Sequence, residues 1–201
     1  MKSRYTRMMC LLILIGIILL MGITIFQRQN VTPYYEVGQP VDSLHGVIVY
    51  YNGGVDHVSG RNLTEDNYNL GLKYQCVEFV KRYYYEHLNH KMRDSYGHAK
   101  SFFNGKYKDG NLNKERNLVQ YTNPSRERPM VSDLVIFDGT LKNRYGHVAI
   151  ISGVTDHEIE IIQQNPGAFG KSRDTFTLLK VDNGWKIDNK RILGWLRNAE
   201  P

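Results

Sequence analysis

The second half of the chain alternates short apolar segments with turn residues, and this pattern narrows the possible folds more than any other feature. Segments with strand character end at turn sequences such as Asp138-Gly139 and Asp182-Asn183-Gly184. The predicted strands, one of them in the first half, cover residues 46–51, 133–137, 147–151, 158–164, 175–181, 185–187 and 192–196. Short strands with frequent turns, preceded by one or two helices, predict an α+β fold with an antiparallel sheet.

One amphipathic stretch precedes most of these strands, and a cysteine stands at its start. Apolar side chains recur there at steps of three and four, at Val77, Val80, Tyr84 and Leu88. Residues 55–72 lack such a stripe and are predicted to be a polar loop, so the helix should begin at Cys76. The free N–H groups and the dipole of a first helical turn favour a thiolate, which makes Cys76 a candidate nucleophile. The alternative is a small buried hydrophobic side chain, the ordinary role of a free cysteine.

A histidine and an amide are predicted to meet on two neighbouring strands. If the strands at 147–151 and 158–164 form a hairpin that turns near Thr155, residues whose numbers sum to about 310 lie opposite each other. His147 would then face Gln163, whose amide oxygen could accept a hydrogen bond from the imidazole and orient its other nitrogen toward a thiol. A turn displaced by one residue would break this pairing. His147 and Gln163 could equally be ordinary polar residues at strand ends.

The N-terminus carries a long apolar run that follows positive charge. Lys2, Arg4 and Arg7 precede an uncharged run from Met8 to Phe26, and a membrane-spanning helix needs about 20 apolar residues. Because the run lacks a small-x-small cleavage pattern, we predict an uncleaved signal anchor, with a cleaved signal as the alternative. The preceding charges predict a single-pass protein, its N-terminus cytoplasmic and its domain outside, in the periplasm or at the cell surface. The predicted organisation is an anchor at 1–29 with its transmembrane helix at 8–26, a tether at 30–45 and a domain at 46–201.

Charge and cysteine usage argue against two other classes of protein. The chain has 26 basic and 20 acidic side chains, and four of the basic ones lie in the first 30 residues, which contain no acid. The excess in the remaining chain is too small for a basic face, so no nucleic-acid partner is expected. Cys10 lies inside the apolar run, so a disulfide with Cys76 is not expected. The sequence contains neither Cys-x-x-Cys nor His-Glu-x-x-His, and we expect no metal or other cofactor.

Taken together, a cysteine at a helix start, a histidine at a strand start and amides on the next strand resemble the CHAP domain, a family of cysteine- and histidine-dependent amidohydrolases and peptidases. The resemblance is carried by Tyr74-Gln75-Cys76-Val77-Glu78-Phe79, Gly146-His147-Val148-Ala149-Ile150-Ile151 and Gln163-Gln164-Asn165. It is strongest toward the amidase domains of bifunctional glutathionylspermidine synthetase/amidases, and it spans roughly residues 46–196 with 96–129 unmatched. It implies a papain-like/NlpC-P60-like fold, in which the helix carrying the cysteine packs on an antiparallel sheet.

By this resemblance Cys76 is the nucleophile, and His147 is the general base that later protonates the leaving amine. Gln163 and Asn165 complete the catalytic set. Gln163 stands where the family usually has Glu, and a neutral amide stabilises imidazolium less than a carboxylate does, so reduced activity or none stays open.

The resemblance also implies positions for substrate contacts. The Cys76 backbone N–H, helped by the Gln75 side chain, would hold the oxyanion, and Tyr74 would lie beside the oxyanion or substrate. Lys81 stands where the most similar amidases have Arg, which puts their substrate contacts in question here.

The activity implied by the family is hydrolysis of an amide bond through an acyl-enzyme. Peptidoglycan peptide is the expected substrate, because the anchor would deliver the domain to the wall side of the membrane. One alternative is a glutathionylspermidine-type amidase, a small-amide hydrolase whose substrate is cytoplasmic. The other is a catalytically weak or inactive wall-binding module that kept the fold without the carboxylate.

Overall fold

The computed structural model describes residues 2–26, 35–93, 96–141, 143–167 and 170–198. Its first element is helix α1, Lys2–Phe26, which begins before the predicted transmembrane helix and ends at the same residue. Within it lies the segment Arg4–Ile25, whose most apolar 18 residues have a mean hydropathy of 2.9 and are not buried, so its length and composition suffice to cross a membrane. A signal sequence near an N-terminus meets the same criterion.

Two antiparallel hairpins lie between α1 and the second helix, α2, which spans Cys76–Glu86. The first pairs β1, Pro40–Leu44, with β2, Val47–Tyr50. The second pairs β3, Arg61–Leu63, with β4, Asn69–Leu72.

The chain ahead of β1 is fixed to the first hairpin. The Gly38 N–H donates to the Tyr51 carbonyl over 2.8 Å, and the Tyr51 N–H donates to the Gln39 carbonyl over 2.9 Å. The ring of Tyr35 packs against that of Tyr51, with 5.7 Å between centroids. Residues 38–44, which the sequence assigned to the tether, are thus hydrogen bonded in or beside the first hairpin.

The prediction of an unbroken polar loop at 55–72 is wrong, because β3 and β4 form there. Asn69, Leu70 and Gly71 are all buried, so β4 is a buried strand whose sequence includes a polar residue and a glycine. Gly71 lies against the first turn of α2, where an added Cβ would stand 3.1 Å from the Glu78 backbone nitrogen. The sequence therefore lacks the alternation of apolar and polar residues that would predict a strand, because the close packing against α2 requires a glycine at position 71.

Helix α2 begins at Cys76, as the apolar stripe predicted. Its buried face contains Phe79, Val80, Tyr83 and Tyr84, all of them inaccessible to solvent. The predicted stripe named Val80 and Tyr84 correctly, while Val77 is only partly buried. Farther along, a single 3₁₀ turn at Ala99–Phe102 occupies part of the region that the sequence left unassigned.

Within the described residues, the main sheet has eight strands, and every pairing in it is antiparallel. The strands are β5 Asn111–Asn113, β6 Leu118–Thr122, β7 Leu134–Phe137, β8 His147–Val154, β9 Glu158–Ile162, β10 Arg173–Val181, β11 Gly184–Ile187 and β12 Ile192–Arg197. Their order across the sheet is β11-β10-β9-β8-β7-β12-β6-β5. The predicted α+β class with an antiparallel sheet is confirmed. Strands β5 and β6 lie within residues 96–129, the region that the resemblance left unmatched.

The sheet separates two hydrophobic cores. Along β7, Leu134 and Ile136 point into one core, whereas Val135 and Phe137 point into the other. The apolar face of α2 packs into the first core. The helix that carries the cysteine is thus held against the central strands, and β8 with its histidine is one of them.

The β8–β9 hairpin is close to the predicted one but has a different register. Ile150 pairs with Ile162, so the paired numbers sum to 312 in place of 310, and a bulge lies between Ile151 and Gly153. Continuing this register, Gln163 stands diagonally across from His147 and not directly opposite it. A displacement of two residues keeps both side chains on the same face, whereas a displacement of one would have separated them.

Candidate active site

A tight turn delivers Cys76 to the start of α2. The Gln75 N–H donates to the Leu72 carbonyl over 3.1 Å, and Tyr74 between them has a φ of 66°, in the left-handed region. Gln75 is the N-cap residue, and its side chain does not cap the helix. The first N–H groups of α2 are therefore available to an anion at this end.

The Cys76 thiol lies between its own helix and strand β8. It is half-buried, and the backbone N–H groups of Val148, Val77 and Cys76 are directed toward its sulfur. Burial raises the pKa of the Cys76 thiol to about 11, and the three N–H groups offset only part of that effect. Because Val148 follows His147, the thiol lies beside the beginning of the strand that carries the histidine.

His147 makes the predicted hydrogen bond with Gln163. The His147 Nε2 atom lies 2.9 Å from the Gln163 Oε1 atom. The Gln163 Nε2 atom donates in turn to the Lys171 carbonyl over 3.0 Å. Since that carbonyl can only accept, the amide oxygen must face the imidazole, and Nε2 of His147 carries the proton. The remaining nitrogen, Nδ1, is then the one that can take up a proton.

The imidazole is neutral over most of the pH range. Burial lowers the pKa of His147 to about 4, the hydrogen bond that His147 donates to Gln163 opposes this shift, and the positive charge of Arg191 adds to it. Together with the raised pKa of Cys76, this makes a neutral thiol and a neutral imidazole the resting form. Gln163 contributes to this state, because its amide, unlike a carboxylate, brings no negative charge to the imidazole.

Asn165 and Gln75 hold the loop in front of the helix. The Asn165 Nδ2 atom donates to the Gln75 Oε1 atom over 2.7 Å and to the Val55 carbonyl over 2.9 Å. The Gln75 Nε2 atom donates to the His57 carbonyl over 2.8 Å. The expectation that the Gln75 side chain holds the oxyanion is not supported by this geometry, since its donors point into the loop. That leaves the Cys76 N–H as the predicted oxyanion donor.

Lys81 and Tyr74, two other residues considered for substrate contacts, pack against other parts of the domain. Lys81 is buried, donates to the Asn69 carbonyl and lies 4.6 Å from the centre of the Tyr68 ring. It stabilises the packing of α2 on β4 and does not face the site. The Tyr74 ring packs on Tyr50, with 5.5 Å between centroids, and its hydroxyl lies beside Gly38.

Gln164, between the two predicted amides, is not among the site residues predicted from the sequence. Gln164 is completely buried and hydrogen bonded to Tyr50, Gln75 and Glu78. A signal was present in the sequence. In the alternation of β9, position 164 continues the face of Ile162, which lies in the core beneath α2. A glutamine on such a face indicates a buried hydrogen-bond network.

These features define an α+β protein in which a cysteine at the start of a helix lies beside the first residues of a strand that begins with a histidine. Residues 66–165 match the family model of the CHAP domain. The protein is therefore a CHAP-domain protein, and the resemblance noted in its sequence is confirmed.

Two characterised proteins are similar to most of the chain. Trypanothione synthetase of Crithidia fasciculata is 31% identical over 141 residues, which are 70% of this chain and 21% of that protein. The bifunctional glutathionylspermidine synthetase/amidase of Escherichia coli (strain K12) is 30% identical over 152 residues, 70% of this chain and 24% of that protein. The chain thus spans about a quarter of these relatives or less. Family and relatives together support a hydrolase that acts on amide bonds.

Two crystal structures of Ly7917, one of them with the hydrolysing product of MDP, are also similar. They superpose with TM-scores of 0.38 and 0.40, at 15% and 16% identity. The matches cover 62% of this chain and 53% or 54% of the other.

Proposed function

We propose that the protein is a membrane-anchored thiol amidase that cleaves an amide bond of peptidoglycan peptides outside the cytoplasm. One observation carries this proposal. The Cys76 thiol, at the N-terminus of α2, lies beside the start of β8, where Gln163 fixes the tautomer of His147. A nucleophile, a base and a group that orients the base are the parts of a cysteine hydrolase site.

The proposed acylation step uses both neutral groups. The Cys76 sulfur bonds to the amide carbonyl carbon while its proton passes to Nδ1 of His147, and the carbonyl oxygen becomes an oxyanion held by the Cys76 N–H. The carbon–nitrogen bond then breaks as Nδ1 returns the proton to the leaving nitrogen. The products are a thioester on Cys76 and a free amine.

Deacylation reverses these roles with water as the nucleophile. His147 accepts a proton from the water through Nδ1 while the water oxygen bonds to the thioester carbon. The carbon–sulfur bond breaks, and the proton returns to sulfur. A carboxylic acid leaves, and Cys76 and His147 regain their neutral forms.

The proposed location of the domain outside the cytoplasm supports peptidoglycan as its substrate over small cytoplasmic amides. Helix α1 is long and apolar enough to span a membrane, and basic residues precede its apolar run, which favours export of the domain. Sequence similarity supports a second candidate, since one relative carries glutathionylspermidine amidase in its name. A reporter fusion that placed the domain in the cytoplasm would favour this second function.

The test is mass spectrometry of fragments released from purified peptidoglycan by the full-length protein in detergent, beside the variant Cys76→Ala. We expect new amine and carboxyl ends only with the unmodified protein, and their masses identify the bond. Release by both proteins would refute the role of Cys76. No release by either, followed by hydrolysis of glutathionylspermidine, would support the second candidate. Inactivity toward both, with retained binding to peptidoglycan, would indicate a binding module.

A further inference from the structure

A buried group of hydrogen bonds, centred on Gln164, lies directly behind the nucleophile. The Gln164 Oε1 atom accepts the Tyr50 N–H over 2.7 Å. Its Nε2 atom donates to the Gln75 carbonyl over 3.1 Å and to the Glu78 Oε2 atom over 2.8 Å. All three polar positions of this amide are thus used, and none of the side chain is exposed. We call Gln164 and these three partners the Gln164 hub.

The hub joins three segments that are distant in the sequence. Tyr50 ends β2, Gln75 and Glu78 belong to the cap and first turn of α2, and Gln164 follows β9. Within the hub, the helix contacts lie immediately before and two residues after Cys76. On the strand side, Gln164 is the chain neighbour of Gln163, which binds His147. The hub therefore connects the backbone that carries the thiol to the backbone that orients the imidazole.

The charge in the hub is compensated, so the hub can act as a rigid support. Glu78 is buried and pairs with Arg82 over 2.7 Å, one turn later in α2. Asn62 donates to the same carboxylate over 2.8 Å. A buried carboxylate that binds a cation and two amide donors has its hydrogen bonds satisfied. Removing one partner destabilises the folded protein, because the desolvation penalty of the carboxylate is then no longer compensated.

We propose that Gln164 is a positioning residue that sets the distance between the Cys76 thiol and the His147 imidazole. Gln164 touches neither reacting group, and it acts by fixing α2 to the end of β9. This inference rests on the proposed function, in which those two groups react. A displacement of about 1 Å in a reacting pair costs on the order of 100-fold in rate, so a loose connection here should lower turnover while leaving substrate binding intact.

The chain offers a matched control in Gln120 on β6. This glutamine is also completely buried and uses both ends of its amide. Its Oε1 atom accepts from the Asn104 N–H over 2.9 Å and from the Asn113 Nδ2 atom over 3.0 Å, and its Nε2 atom donates to the Asn104 carbonyl over 2.9 Å. Its partners belong to the region around β5 and not to the hub. Loss of its hydrogen bonds should therefore cost similar stability without moving the nucleophile.

The experiment compares Gln164→Met with Gln120→Met in the full-length protein, on a synthetic peptide that contains the bond identified in the assay above. Methionine keeps the length of the side chain and removes its hydrogen bonds. We expect both variants to melt at lower temperature, and only Gln164→Met to lose kcat, by about 10- to 100-fold with KM within about twofold. Gln164→Asn, which keeps an amide on a shorter side chain, replaces Gln164→Met if that variant does not fold. Equal kcat in the two variants, or a loss confined to KM, overturns the inference.

A second measurement keeps this test independent of the proposed function. Crystal structures of the two variants give the separation of the Cys76 sulfur from the His147 ring. We expect it to lengthen in Gln164→Met by at least about 0.5 Å, the tolerance of a preorganised site, and to stay unchanged in Gln120→Met. If the wild-type protein hydrolyses none of the substrates offered, this separation alone decides the inference, and an unchanged separation in Gln164→Met refutes it.

Discussion

Restoring the family's usual carboxylate, with Gln163→Glu, should make the Cys76 thiol more reactive. In the structure the transfer of a proton from thiol to imidazole is unfavourable, because burial raises the pKa of Cys76 to about 11 and lowers the pKa of His147 to about 4. The difference of these values puts the thiolate–imidazolium form at about one part in 10⁷. A change that raises the pKa of His147 increases this fraction directly.

The size of the increase follows from the hydrogen bond at 2.9 Å between His147 and Gln163. A neutral hydrogen bond contributes about 1 kcal/mol and a charge-assisted one about twice as much. The extra stabilisation of imidazolium, about 1 kcal/mol, raises the pKa of His147 by about 0.7 units and the reactive fraction about fivefold.

The same substitution should cost stability at Lys171. The Gln163 amide donates to the Lys171 carbonyl over 3.0 Å, and a carboxylate would place two acceptors together there. The unsatisfied pair should lower the free energy of unfolding by about 1–3 kcal/mol. The repulsion between the carboxylate and the Lys171 carbonyl also raises the pKa of the new carboxyl. Even a pKa two or three units above the usual value of about 4.3 leaves the carboxyl ionised at pH 8. Higher reactivity and lower melting temperature are thus expected together.

The assay is hydrolysis of a peptide that contains the bond identified above, with kcat/KM measured at pH 8. The value should be about fivefold higher in Gln163→Glu than in the wild type, because the thiol proton passes to a more basic imidazole. Gln163→Leu, which has no acceptor, should not accelerate the reaction. A folded Gln163→Glu variant with an unchanged kcat/KM would refute the electrostatic coupling of position 163 to His147.

Two further predictions concern stability. Arg197→Met should lower the free energy of unfolding by about 3–5 kcal/mol, because it leaves the buried Asp133 carboxylate without its cation; Asp133 is 1% exposed and binds Arg197 over 2.8 Å and 2.9 Å. Thermal unfolding measures this loss. The control is Lys186→Met, which should change stability little because Lys186 and Asp188 form an exposed pair. His147→Gln should weaken the pH dependence of stability: the pKa of His147 falls from 6.5 to about 4 on folding, so the unfolded chain binds the proton first and stability declines as pH falls from 6.5 toward 4. A melting temperature that drops equally between pH 7 and 4.5 in both proteins would contradict this.

The sequence predicted those features of the site that depend on periodicity. Helical spacing located Cys76 at the start of α2, and strand alternation placed His147 and Gln163 on one face even though the hairpin register differs by two residues. The register itself depends on a bulge near Ser152, where the signal, Gly153, was interpreted as the end of the strand.

Features that depend on buried hydrogen bonds could not be predicted in the same way. The Gln75 side chain points into the loop because Asn165 and the His57 carbonyl bind it there, and neither contact is visible in a linear pattern. Strand β4 has a glycine and an asparagine at buried positions, so its composition resembles that of a loop. Long-range partners, and not local preference, determine these elements.

For a chain that keeps α1 in a bilayer, as proposed, the attachment of residues 38–44 to the first hairpin shortens the reach of the domain. If residues 27–45 were all free, the link from α1 would extend to about 66 Å, whereas the eight residues between Phe26 and Tyr35 span at most about 28 Å. The farthest distance of the domain from the end of α1 is thus less than half of what a free link would allow. The proposed cleavage would then be confined to the layer of wall nearest the membrane that holds α1.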